Sequence, residues 1–352
     1  MPPNETGAGD SLRRSARQAV QSGSRRRAGP PQSQQRGGAI TVPTMPETVL
    51  HVGTPLRQSR DKMNHPQLHW LPDPAILAPL ALLAGIYIWR FRAARREAGG
   101  RGAGFKEAVA FTGAFIAILI ALVSPLDRLG EDYLFSAHML QHVLLGDIAP
   151  LLLLLALSRV IMRPATRRLT RIERALGPLA SPVTGLLLWL VLMYFWHVPA
   201  LYDAAVESAP LHALEHLSFF AAGIALWWAL IQPVPMRRRL TGMQPVAYIA
   251  AAKGGLAALG LYLAWASTPI YPYYETLPRI WGLSPTEDQN VGGVIMMVEQ
   301  SMTLVLVLVV LFVRMLSQSE EEERRRERLE AAQASETLAP ARAEPGPSRT
   351  TG

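Results

Sequence analysis

The sequence predicts an all-α, polytopic membrane protein with seven transmembrane helices, its N-terminus outside and its C-terminus cytoplasmic. Three observations carry that expectation. Hydrophobic residues make up 49% of the 352 and charged residues 18%, yet the two classes are segregated, long apolar runs alternating with short arginine-rich ones. A hydrocarbon core about 30 Å thick takes about 20 helical residues to cross, and apolar stretches of that order recur at about 75–91, 108–124, 134–157, 183–197, 212–232, 245–267 and 292–316. Arginine and lysine then concentrate in alternate connections, the pattern that marks cytoplasmic loops. The net charge of +8 is therefore read as a topology signal. The lipid bilayer is the expected environment and nucleic acid is not an expected partner.

Taken in order, residues 1–62 form a basic leader rich in Arg, Gly, Ser, Gln and Pro, too poor in apolar residues to fold alone. No apolar core follows its arginines, so it does not read as a signal peptide, and Met63 is a candidate alternative start. The membrane domain is expected over 63–317. Trp70, Pro72 and Pro74 introduce the first span, Trp70 at the depth of the interfacial aromatic belt. Arg90, Arg92, Arg95, Arg96, Arg101 and Lys106 follow that span, and Arg159, Arg163, Arg167, Arg168, Arg171 and Arg174 follow the third. Arg237, Arg238 and Arg239 separate spans five and six. The intervening connections are acidic or neutral: 124–133 sets Arg128 against Asp127, Glu131 and Asp132, 198–211 has no basic residue, and Arg279 stands alone between spans six and seven. Arg57, Arg60 and Lys62, beside span one, run against this orientation. The charged cytoplasmic tail, 318–352, reads as a helix continuing span seven with Glu and Arg at i,i+4 spacing, ended by Pro340, Pro345 and Pro347.

The absence of cysteine excludes structural disulfides, thiolate zinc or iron–sulfur sites and thiol-mediated metal transfer. A metal site here has to use His, Met, carboxylate or backbone. On the expected topology all eight histidines fall on the outer side: His51, His65 and His69 before span one, His138 and His142 opening span three, His197 closing span four, His212 and His216 opening span five. His138/His142 and His212/His216 are each four apart, so each pair stands on one face of its helix. Ionisable groups at span ends are rare enough to read as functional. Met139, Met193, Met296 and Met297 supply thioethers nearby. Imidazole with thioether suits copper, above all Cu(I), while imidazole alone also suits zinc, iron and nickel. Glu215, Asp288 and Glu299 are candidate supporting groups, and Gly292-Gly293 permits close helix approach. Asp147 and Lys253 fall at similar depth in spans three and six and are expected to pair, since each offsets the desolvation of the other.

Several of these residues stand together in an order that resembles a known family. Ser124-Pro125-Leu126, Leu134-Phe135-Ser136-Ala137-His138-Met139-Leu140-Gln141-His142, Trp196-His197-Val198-Pro199, Leu214-Glu215-His216 with Trp227-Trp228, Tyr271-Pro272-Tyr273-Tyr274, and Asp288-Gln289 with Gly292-Gly293 and Met296-Met297 resemble the motif set of the bacterial caa3-type cytochrome c oxidase assembly factors. The resemblance runs over about 65–316. It implies a seven-span protein of the bacterial plasma (inner) membrane, not an enzyme, that serves maturation of a haem-copper oxidase at copper insertion. Its partners would be oxidase subunits and other copper chaperones. The residues themselves leave other classes open: a haem-binding redox protein with histidine axial ligands, a metal or proton transporter using Asp147 and Lys253, and a metal-free scaffold for oxidase subunits.

Overall fold

The computed structural model describes Trp70 and residues 72–338. His51, His65 and His69, the basic leader and the tail beyond 338 lie outside the described residues. Those described are helical, with no strand among them.

Helix α1, Pro74–Glu97, starts where Asp73 accepts a hydrogen bond from the Ala75 N–H at 2.8 Å and Pro74 takes the first position, whose N–H a helix does not need. Helix α2 is Phe105–Leu122. A short helix, α3, Pro125–Asp132, then follows the Ser124 cap. The third span is composite: α4, Phe135–Val143, passes into a π-helical turn at Leu144–Ile148 and continues as α5, Ala149–Ala156. In the π turn the Ala149 N–H reaches back five residues to the Leu144 carbonyl. The arginine-rich segment after it, expected as a loop, is helix α6, Arg163–Leu176. It meets α7, Pro182–Trp196, across a 71° bend. Helix α8, Pro199–Glu207, leads into α9, Ala209–Ile231, and then α10, Gln244–Ala264. After the single turn α11, Pro272–Glu275, α12 runs unbroken over Pro285–Leu338, so the charged tail does continue the last apolar helix.

Among the described residues six helices are long and apolar enough to cross a membrane: α1, α2, the composite 135–156, α9, α10 and α12. This makes the chain a multi-pass membrane protein. Helix α7, expected as a full span, has 15 residues and rises about 22 Å, short of a 30 Å core. Large apolar side chains such as Leu82, Ile86, Val305, Leu306 and Phe312 point outward, as a lipid-facing surface requires.

Glycine permits two close helix crossings. A Cβ on Gly293 of α12 would lie 2.6 Å from the Gly260 carbonyl of α10, and one on Gly223 of α9 would run into the Gly146 carbonyl of the π turn. The short helices α3, α8 and α11 gather at one end of the bundle. There Tyr273 and Tyr274 of α11 donate to the Glu131 and Gly130 carbonyls of α3, each within 3.0 Å. Phe135 stacks on Tyr271 at 4.9 Å, and Tyr202 of α8 lies 4.3 Å from Tyr271. This aromatic wall closes the side of the cluster described next.

Candidate metal centre

His138 and His142 project from α4, one turn apart, with ring centroids separated by 4.3 Å. From α9, Glu215 and His216 face them. His138 Nε2 lies 3.9 Å from one Glu215 oxygen and His142 Nε2 lies 3.5 Å from the other. One ligand atom each from His138, His142, Glu215 and His216 falls within 4.8 Å of the rest, and all four residues are buried. Glu215, expected as a supporting group, stands inside the set.

The hydrogen bonds around His138 orient its ring. Burial pushes the phenols of Tyr202 and Tyr274 well above their ordinary pKa, so both keep their protons. Tyr274 donates to the Gly130 carbonyl at 2.8 Å, and Tyr202 lies 3.1 Å from the Tyr274 oxygen. His138 Nδ1 lies 3.0 and 3.1 Å from the two phenol oxygens. The arrangement that uses every donor has Tyr202 donating to Tyr274 and His138 donating from Nδ1. That leaves the lone pair of His138 on Nε2, toward Glu215. Holding one ring nitrogen by a donated hydrogen bond is how proteins fix the tautomer of a metal-binding histidine.

His138 Nε2, both ring nitrogens of His142, His216 Nε2 and both Glu215 oxygens are buried without a hydrogen-bond partner among the described residues. An unpartnered buried polar atom costs about 1–3 kcal/mol, and here each of the four residues has an unpartnered atom that can present a lone pair to the others. A single proton can join two of them; a cation can join four. Tetrahedral coordination with bonds of about 2.0–2.1 Å places ligand atoms about 3.4 Å apart, so an ion would draw this set slightly inward. The donors, three imidazoles and a carboxylate, fit zinc or copper.

The other histidines flank this set. His212 packs 4.1 Å from His216 and 5.0 Å from His138 between ring centroids, and its Nδ1 pairs with Glu131 at 2.8 Å. His197, just past α7, lies 5.6 Å from His142 and bonds through Nδ1 to the Met193 carbonyl at 2.6 Å. Asp127 of α3, half-buried, accepts from Gln141 at 2.8 Å; burial first, and Glu131 second, raises its carboxyl to about 6.

The remaining acids expected near the site have other partners. Asp288 caps α4 from α12: it accepts from the Phe135 N–H at 2.6 Å, the Ser136 N–H at 3.2 Å and the Ser136 hydroxyl at 2.5 Å. This holds the helix start that presents His138. Met139 is fully buried in the main apolar core and faces Gly292. Asp147 and Lys253 pair as expected, and Glu299 joins Lys253 at 3.5 Å, making a triad. Trp227 donates to Asp147 at 2.7 Å, and Lys253 sits over the rings of Trp189 and Trp227.

With this geometry in view, the comparisons with known proteins are specific. Residues 85–318 match the family described as cytochrome c oxidase caa3 assembly factor. The chain belongs to that family. Among curated relatives it is 26% identical over 247 residues to an uncharacterized protein of Mycobacterium leprae (strain TN), and 27% identical over 241 residues to uncharacterized proteins of Mycobacterium bovis and Mycobacterium tuberculosis. Each alignment takes in 64% of this chain and 36% of the relative, so the chain spans about a third of the length of the curated proteins it matches. No solved structure is significantly similar. Within the matched region lie all the site histidines, Glu215 and the Asp147–Lys253–Glu299 triad.

Sequence reasoning missed Tyr202 as a neighbour of His138, because nothing in the spacing of α8 points at α4. Tyr274 was visible within Tyr271-Pro272-Tyr273-Tyr274, without a role.

Proposed function

We propose that this protein assists assembly of a haem-copper cytochrome c oxidase by holding copper at His138, His142, Glu215 and His216 and passing it to a nascent oxidase subunit, without turnover chemistry. The observation that carries the reading is the convergence of four buried residues from two helices, each with a ligand atom that has no hydrogen-bond partner among the described residues. The family match supports the oxidase side of it. On this reading α7, with the bend before it, completes a seventh span of the bacterial inner membrane. The alternation of basic loops supports a centre near the outer face, an outside N-terminus and a cytoplasmic C-terminus. Other copper chaperones are then candidate donors. Transfer is ligand exchange: a client's ligands displace the imidazoles one at a time, and the Tyr202–Tyr274 pair keeps His138 in its ligating tautomer as the ion leaves.

The close packing of the rings favours an ion over a haem, for which the adjoining cavity of about 20 Å³ has no room. The triad below the centre favours a second reading, cation or proton transport, in which flux into vesicles would require Asp147 and Glu299.

Protein purified without chelators and loaded with Zn(II) or Cu(II) is expected to retain one equivalent at this centre. Removing two of four ligands in His138→Ala/His142→Ala should weaken binding at least about tenfold. Wild-type stoichiometry and affinity in that variant would overturn the reading. In cells, excess copper should partly restore oxidase activity to a deletion strain; no rescue would point to a scaffold.

A further inference from the structure

Below the four-donor centre the interior continues into a small cavity of about 20 Å³, lined among others by His142, Met193, His197, Met296, Asp147 and Gln300. We propose that this cavity is a second, softer metal site for Cu(I), built from His197 Nε2 and the thioethers of Met193 and Met296, with His142 standing between it and the upper centre. The proposal rests on the reading of the chain as copper-handling and adds a distinct ligand set to it.

Four observations support the assignment. His197 Nδ1 lies 2.6 Å from the Met193 carbonyl, which can only accept, so Nδ1 carries the proton and Nε2 carries the lone pair. Nε2 is buried, with no hydrogen-bond partner among the described residues, in a residue 5% exposed. The two thioethers come from different helices, α7 and α12, and both residues are buried. Space for the Met193 end is made by Gly146, where a Cβ would lie 2.8 Å from the Met193 methyl. His142 adds an unpartnered Nδ1, and Gln300 an unpartnered carbonyl oxygen, to the same lining.

The chemistry of this set differs from that above it. One imidazole and two thioethers form a soft, neutral donor set that favours Cu(I) over Zn(II), whereas three imidazoles and a carboxylate accept either zinc or copper. Room for about one water-sized body suits a bare ion. Charge agrees: Asp147 lines the cavity, and with its members ionised the triad it forms with Glu299 and Lys253 carries a net charge of −1, which a monovalent cation balances. The arrangement amounts to two tiers with a shared histidine, so that Cu(I) can pass from one to the other without leaving the interior.

The test uses full-length protein under anaerobic conditions, titrated with Cu(I) against a competing chelator and, separately, with Zn(II). Wild type is expected to bind two Cu(I) and one Zn(II), with sulfur scatterers in the Cu(I) X-ray absorption spectrum. Met193→Leu/Met296→Leu should bind one Cu(I), lose the sulfur signal and keep its zinc. Glu215→Gln/His216→Ala should lose zinc yet keep one Cu(I) with sulfur ligation, which separates failure of the upper centre from failure of the lower one. A wild-type Cu(I) spectrum without sulfur overturns the proposal whatever the variants do, and so does a methionine double variant that still binds two Cu(I).

Discussion

Replacing Lys253 with Met should destabilise the protein more than removing either of its acidic partners. Lys253 is 1% exposed and Asp147 2%, and the lysine faces two carboxylates, Asp147 directly and Glu299 at 3.5 Å. Taking it away leaves both acids without a cation in a low-dielectric interior. Breaking a buried pair by deleting one partner costs about 3–5 kcal/mol. Asp147→Asn is milder, because the lysine retains Glu299 and the amide oxygen still accepts from Trp227; about 1–3 kcal/mol is expected. Glu299→Gln leaves the Lys253–Asp147 contact whole and keeps an acceptor for the Thr303 hydroxyl, 2.7 Å away, so about 0.5–1.5 kcal/mol is expected. The Lys253→Met/Asp147→Asn double variant should cost less than the sum of its parts by about 1–3 kcal/mol, since residues of one network couple. Unfolding in a fixed detergent, at one pH, measures all four. If Glu299→Gln were as damaging as Lys253→Met, or if the double variant were additive, the triad would not be the energetic unit described here.

Two further expectations concern stability. The folded pKa of Asp127, about 6, lies above its ordinary 3.8, so the folded state holds this proton more tightly. The contribution to stability is therefore full below about 4, falls as pH rises to about 6 and is level above. Asp127→Asn, which keeps an oxygen for Gln141, should raise the melting temperature relative to wild type by more at pH 7 than at pH 4, and an unchanging difference would contradict the assignment. Gly293→Ala places a methyl 2.6 Å from the Gly260 carbonyl and 2.9 Å from the Ala264 Cα. Backbone cannot yield as a side chain does, so α10 and α12 must separate, at about 1–3 kcal/mol; an alanine variant as stable as wild type would show that this crossing is looser than described.

The histidine pairs were legible because two residues four apart on a helix share a face whatever the tertiary fold, and because the charge alternation of the loops puts both pairs at one end of the bundle. Glu215 was legible as a neighbour of His216 but not as a member of the set, since that depends on how α9 is rotated against α4. Asp288 illustrates the limit more sharply. Its position before an apolar run suggested a metal-side role, yet the groups it meets are the Phe135 and Ser136 N–H groups, more than 150 residues earlier in the chain. The Asp147–Lys253 pair could be inferred from depth alone; Glu299 as its third member could not, because each residue turns α12 by about 100° and its rotation against α10 is not written in the sequence. The short helices α3 and α8 escaped a reading tuned to spans of about 20 residues, although Ser124-Pro125 is a recognisable helix start.

The π turn at Leu144–Ile148 follows His142 and itself carries Asp147, dividing the third span into two α-helical halves. Each residue of an α-helix turns the chain by about 100°, so excising one residue there, and restoring regular helix, would swing the histidine-bearing half round relative to the half that follows Asp147. The orientation of His138 and His142 over the triad thus depends on a single residue of chain length. Such a helix behaves as two parts keyed together at one joint, and the joint offers a way to turn His138 and His142 against the rest of the span while both histidines are kept.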